Sequence, residues 1–172
     1  CVVYNYKTGE VICSVSAKGY DPQAPPEITE ENEHEYDGVY LDNVISSAYT
    51  PGSTFKIITL ASSLEEGTVD LDNDHFSDSG AITVGGATLH CWKHGGHGSQ
   101  TFLNVVENSC NPGFVVMGQK LGKQKLYEYV EKFGMTEKTG VDLNGEAKGI
   151  MFKYDNIGPV EQATISFGQG IS

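Results

Sequence analysis

The opening residues hold two short apolar runs separated by a polar segment. Val2, Val3, Tyr4 and Tyr6 form the first run, and Val11, Ile12 and Val15 the second. Lys7-Thr8-Gly9-Glu10 lies between them, so residues 1–16 are predicted to form a β-hairpin. Residues 19–38 are polar, with Pro22, Pro25 and Pro26 followed by the acidic stretch 27–37, and this pattern reads as a solvated loop. From Val39 the apolar period lengthens: Val39, Leu41, Val44 and Ile45 suggest a short helix before Pro51-Gly52 breaks the chain. A helix is predicted over 53–66, stopped by Gly67. Its apolar residues, Phe55, Ile57, Ile58, Leu60, Ala61 and Leu64, surround most of the circumference, as in a helix inside a protein. Residues 67–100 look irregular, except that Ile82-Thr83-Val84 and Ala87-Thr88-Leu89 flank Gly85-Gly86, a two-residue hairpin signal. Helical periodicity returns at 101–109, 112–121 and 123–133. Glycines at 134, 140, 145 and 149 then impose turns, and a last helix is predicted within 159–167. No internal repeat or low-complexity tract interrupts this pattern.

A chain of 172 residues is one ordinary domain or part of a larger one, and it is long enough to bury a core. The net charge of −12 disfavours a nucleic-acid partner, because such a surface repels phosphate backbones. No run approaches the ~20 apolar residues of a membrane span. The chain opens inside an apolar run, Cys1-Val2-Val3-Tyr4, without an initiator methionine or a signal-peptide pattern, and it reads as a fragment of a longer protein. Four scattered cysteines (Cys1, Cys13, Cys91, Cys110) do not make a disulfide framework and read as buried or idle thiols.

The sharpest chemical feature is Ser53-Thr54-Phe55-Lys56. Residues three apart at a helix start share one face. The helix dipole there favours a developing alkoxide on Ser53. Lys56 lies one turn into an apolar helix, where desolvation lowers an amine's pKa. A neutral amine beside a serine hydroxyl is a general base beside a nucleophile. The competing reading is a plain helix cap with a lysine that snorkels outward. A second feature, Ser109-Cys110-Asn111, lies between two helical segments with Pro112 after it. In such a bend a hydroxyl can relay a proton and a carboxamide can hold a carbonyl, although serine and asparagine also favour helix junctions for their own sake.

Taken in this order, the two motifs make the sequence resemble the transpeptidase domain of class B penicillin-binding proteins. The resemblance runs along nearly the whole chain. It rests on Tyr49-Thr50-Pro51-Gly52-Ser53-Thr54-Phe55-Lys56 and Glu107-Asn108-Ser109-Cys110-Asn111, with further landmarks at Lys7-Thr8-Gly9-Glu10-Val11, Gly96-His97-Gly98, Thr139-Gly140-Val141-Asp142-Leu143 with Glu146, and Phe167-Gly168-Gln169-Gly170-Ile171. It implies the α/β fold of penicillin-binding proteins and serine β-lactamases, here truncated to the N-terminal hairpin (1–18), a loop and short helix (19–52), the nucleophile helix (53–66) and a mainly helical region (67–172) that carries the second motif. It implies a peptidoglycan D,D-transpeptidase in which Ser53 is the acylated nucleophile, Lys56 its base, Ser109 a proton relay to the leaving amine, and Asn111 a holder of the substrate amide that also orients Lys56. The implied partners are D-Ala-D-Ala stem peptides and β-lactam antibiotics. The implied setting is the extracytoplasmic face of the bacterial cytoplasmic membrane, with an anchor and a wall-synthesis complex supplied by the parent protein.

The family's third motif is a Lys-Thr-Gly strand facing the serine. Lys138-Thr139-Gly140 has the letters, but its glycine-rich context resembles a loop of the family. The motif strand is expected after Phe167-Gly168-Gln169-Gly170, and the chain ends at Ser172. Fluorescent penicillin is therefore expected to label the 172-residue chain weakly or not at all, and stoichiometric labelling at Ser53 would refute this. The strand at 1–6 should present an open edge through which the fragment can self-associate. No metal or organic cofactor is implied. His90, Cys91, His94 and His97 have zinc-ligand chemistry, but Gly95-Gly96 interrupts their presentation. Asp70, Asp72, Asp74 and Asp78 imitate a calcium loop, but His75 stands where that loop needs glycine. Tyr127, Tyr129 and Phe133 look like helix packing. The alternatives are a β-lactamase or D,D-carboxypeptidase, which needs a water-activating residue, and a non-catalytic penicillin sensor.

Overall fold

The computed structural model describes residues 1–17 and 19–172 and divides the chain into two compact units. One comprises residues 1–48 and 140–147, the other residues 49–139 and 148–172.

In the first unit, β1 (Val2–Tyr4) pairs antiparallel with β2 (Val11–Ser14), and a bulge falls between Val3 and Tyr4. The turn closes on the Asn5 carbonyl, which accepts the Thr8 and Gly9 amides at 3.2 and 2.8 Å. Gly9 takes the φ of +76° that this turn requires. The ribbon pairs with no third strand among the described residues, and Val3 and Ile12 are both largely exposed. The acidic stretch read as loop contains one helical turn, α1 (Glu33–Tyr36). Asn32 organises its start by accepting the Thr29 amide at 2.7 Å and donating to the Glu27 carbonyl at 3.0 Å. The next helix, α2 (Asn43–Ser46), starts later than the periodicity suggests, because Asp42 caps it by accepting the Val44 amide.

In the second unit, a 3₁₀ turn (Gly52–Phe55) leads into α3 (Lys56–Glu65). The predicted helix is thus present, but Ser53 lies in the tighter turn before it. Only one face of α3 is buried, lined by Ile58, Thr59, Ser62 and Ser63. Ile57 is 67% exposed, so the expectation of an all-round interior helix fails. The buried hydroxyls explain the difference. Thr59 donates to the Ser166 carbonyl at 2.9 Å and Ser62 to the Ile58 carbonyl at 2.6 Å, so these two polar residues fill interior positions with their hydroxyls paired.

The stretch 67–100 is more ordered than its sequence suggests. β3 (His75–Asp78) pairs antiparallel with β6 (Gly98–Thr101), and β4 (Ala81–Val84) with β5 (Ala87–His90). The second hairpin turns at Gly85-Gly86, both at positive φ, as its sequence signals. The β3–β6 ribbon carries no apolar alternation, and its partners, from His75 with Thr101 to Asp78 with Gly98, are distant in sequence, so periodicity cannot reveal it. Four helices complete the unit: α4 (Phe102–Glu107), α5 (Asn111–Leu121), α6 (Lys123–Lys132) and α7 (Pro159–Ile165). α5 packs against the other three and α3, and Phe102, Val105, Phe114, Val115, Met117, Ala163 and Phe167 form the core around it. A second cluster joins Phe55 and Ile58 to Leu126, Val130 and Ile165. Tyr129 belongs to this cluster, whereas Phe133 is half exposed and does not pack as expected. Among the described residues, no helix is long and apolar enough to cross a membrane.

Candidate active site

Pro51 and Gly52 bend the chain into the 3₁₀ turn, where Gly52 has a φ of +57° and Thr54 Oγ1 donates to the Pro51 carbonyl at 2.7 Å. This turn leaves Ser53 exposed and buries Phe55 and Lys56 beneath it. From the far end of the unit, Gly168 docks against it. The Gly52 amide donates to the Gly168 carbonyl at 2.9 Å, and a Cβ on Gly168 would run into the Gly52 carbonyl oxygen and lie 2.8 Å from Phe55 Cβ. Gly168 also has a φ of +81°. Gly168→Ala should therefore destabilise the fold by about 2–4 kcal/mol, readable as a lowered denaturant midpoint; an unchanged midpoint would refute the close docking.

The second motif forms the bend between α4 and α5. Ser109 has a φ of +48°, the only positive value at a non-glycine among the described residues. Its amide donates to the Val106 carbonyl and that of Cys110 to the Val105 carbonyl, both at 3.0 Å, so the bend hangs from the end of α4. Asn111 and Pro112 then start α5.

Lys56 is 4% exposed, and its amine lies inside this bend. Nζ donates to the Ser109 carbonyl at 2.8 Å, to Ser109 Oγ at 2.9 Å and to Asn111 Oδ1 at 2.7 Å. The Phe114 ring lies 5.2 Å from the nitrogen, and no carboxylate pairs with it among the described residues. Burial pulls its pKa down to about 8, only partly countered by Cys110 and Cys91. Ser109 Oγ is 3.3 Å from Ser53 Oγ. The hydrogen-bonded route from Ser53 to Lys56 therefore passes through Ser109, where the sequence suggested direct contact. Asn111 Oδ1 accepts from the lysine while its Nδ2 donates to the His90 carbonyl at 3.2 Å, so the carboxamide is engaged at both ends. Ser53, Lys56 and Ser109 open onto a pocket of about 130 Å³ whose apolar walls include Ile57, Leu60 and Phe114. The arrangement can move a proton from an exposed hydroxyl, through a second hydroxyl, to a desolvated amine.

The four sequence-level zinc candidates separate. His90 and His94 are exposed, while Cys91 and His97 meet Asp78 and Cys110 in the interior. One donor atom from each of these four lies within 4.8 Å of the others. Burial opposes ionisation of Asp78, but donors from Gly80, His97, Cys91 and Cys110 outweigh it and hold the carboxyl well below its usual range. Burial pushes the Cys110 thiol up to about 12. The donor types suit a tetrahedral divalent cation such as zinc. Sequence reading missed this set because Asp78 looked like part of an acidic loop. Asp70, Asp72 and Asp74 do form such a loop: Asp70 accepts the Asp72 and Asn73 amides, and Asp74 pairs with Lys120 at 2.7 Å. Lys138, Thr139 and Gly140 lie in no helix or strand.

A family model described as the penicillin binding protein transpeptidase domain matches residues 1–172. Stage V sporulation protein D of Bacillus subtilis is 51% identical over 172 residues, a match covering 99% of this chain and 26% of that protein. Penicillin-binding protein PbpB of Mycobacterium tuberculosis is 31% identical, with 99% of this chain and 24% of that protein covered. The chain thus spans about a quarter of the length of the curated relatives it matches. Among solved structures, the D,D-transpeptidase domain of a peptidoglycan glycosyltransferase from Eggerthella lenta superposes with a TM-score of 0.82 at 30% identity, covering 94% of this chain and 39% of that one.

Proposed function

Because this chain belongs to the penicillin-binding protein transpeptidase family, we propose that it carries the serine acylation chemistry of a peptidoglycan D,D-transpeptidase that cross-links the cell wall. Ser53 is the nucleophile. Its Oγ attacks the carbonyl between the two terminal D-alanines of a stem peptide, while its proton passes through Ser109 Oγ to neutral Lys56. The Ser53 amide donates one hydrogen bond to the oxyanion. The C–N bond then breaks, and the leaving D-alanine amine takes the proton back along the same route. The amine of a second stem attacks the ester, forms the cross-link and regenerates the serine. A β-lactam ring opens on Ser53 by the same attack. The family supports the reaction and an extracytoplasmic setting for it, and the hydrogen bonds from Lys56 to Ser109 and Asn111 support their role in holding the lysine.

One observation carries this reading: a buried lysine amine without a carboxylate partner, held by Ser109 and Asn111 one turn from an exposed serine. The test is peptide mapping of the natural protein after penicillin treatment. A single adduct on Ser53 supports the assignment, and an adduct elsewhere overturns it.

A further inference from the structure

The bend that presents Ser109 and Asn111 to Lys56 is strained at Ser109, so something must hold it from behind. Cys110 lies between those two residues and is fully buried. While its neighbours face the lysine, its thiol points inward and donates to Asp78 Oδ2 at 3.3 Å. The same oxygen accepts the His97 amide at 3.0 Å and lies 2.9 Å from His97 Nδ1, while Asp78 Oδ1 accepts the Gly80 amide at 2.8 Å. The Asp78 side chain has no solvent exposure. One buried carboxylate thus gathers the end of β3, the loop through His97 and the bend. The end of β5 and that loop support the bend twice more, through the His90 carbonyl on Asn111 Nδ2 and through Trp92 Nε1, which donates to the Asn108 carbonyl at 2.9 Å.

We propose that Asp78 and Cys110 are positioning residues for acylation: the thiol–carboxylate hydrogen bond fixes the bend so that Ser109 and Asn111 converge on the Lys56 amine. Neither residue lines the pocket or touches Ser53. A carboxylate suits this place because every neighbour it meets there donates and it has nothing to donate itself. An asparagine of the same shape would point an NH₂ group at one of those donors. The inference rests on Ser53 being the nucleophile.

The experiment separates the initial binding constant of a fluorescent penicillin from its first-order acylation rate constant, using the natural protein. Cys110→Ala should lower the rate constant about tenfold or more, the size of a lost hydrogen bond to a charged group, and leave initial binding unchanged. Cys110→Ser keeps a donor and should recover the rate to within about threefold of the unmodified protein. Asp78→Asn, checked for retained helix content by circular dichroism, should reproduce the loss and keeps the test decisive if Cys110→Ala does not fold. The same losses should persist after chelator treatment, since the proposal needs no cation. A wild-type rate in Cys110→Ala, equal losses in the alanine and serine variants, or a loss abolished by chelator would overturn the proposal. Absence of acylation at Ser53 in the unmodified protein would instead overturn the proposed function.

Discussion

Replacing Lys56 with methionine in the natural protein should slow acylation of Ser53 by about a thousandfold, the usual scale for removing a general base. Methionine fills a similar volume in the apolar surroundings of α3 but cannot take a proton. Circular dichroism separates this loss from unfolding, since the substitution removes the cost of burying an ammonium group but leaves the Ser109 carbonyl and Asn111 Oδ1 without their donor. Lys56→Arg sharpens the test. Arginine can still donate to the Ser109 carbonyl and Asn111 Oδ1, but its pKa lies far too high for it to lose its proton. If the lysine merely anchored the bend, arginine would retain most of the rate. If it is the base, arginine should be as defective as methionine, and a near-normal rate in that variant would eliminate the base assignment.

Acylation should also climb steeply with pH. With the Lys56 pKa near 8, only about 1% of the amine is neutral at pH 6 and about half at pH 8. The acylation rate constant should therefore rise roughly fiftyfold over that interval and level off above pH 9. The same lysine sets a stability trend of the same sign. Its pKa falls from 10.5 in the unfolded chain to about 8 in the fold, so between those values the unfolded chain binds a proton that the folded one does not. The cost of burying the charge is complete below about pH 8 and disappears as pH rises toward 10.5, so this group adds stability in that window. Denaturant midpoints and acylation rates between pH 6 and 10 provide the check. A flat acylation profile would mean that some other group takes the proton.

Much of the site is legible in the chain because its parts are local. Ser53 and Lys56 are separated by one turn whatever surrounds them, and a lysine set among Phe55, Ile57, Ile58 and Leu60 is predictably desolvated. The bend at 109–111 announces itself by Pro112 and by helical periodicity on both sides. Gly85-Gly86 marks its own hairpin. The same reasoning failed where neighbours distant in sequence decide. Ile57 looks like core but faces outward, because the Ser166 carbonyl satisfies Thr59 and lets a polar residue occupy the interior instead. Asp78 looks like part of an acidic loop, yet the pairing of β3 with β6 carries it into the interior beneath Cys110.

The sequence by itself determined that a serine and a lysine lie one turn apart at a helix start, and the family to which the chain belongs, because short-range helical geometry and motif spacing do not depend on the rest of the fold. Only the tertiary structure decided that Ser109 stands between Ser53 and Lys56, that the amine meets the Ser109 carbonyl and Asn111 Oδ1, and that Asp78 lies beneath Cys110. Those facts depend on which side chains from distant segments share one low-dielectric volume, and only the packing of α3, α4 and α5 with the β3–β6 ribbon sets that.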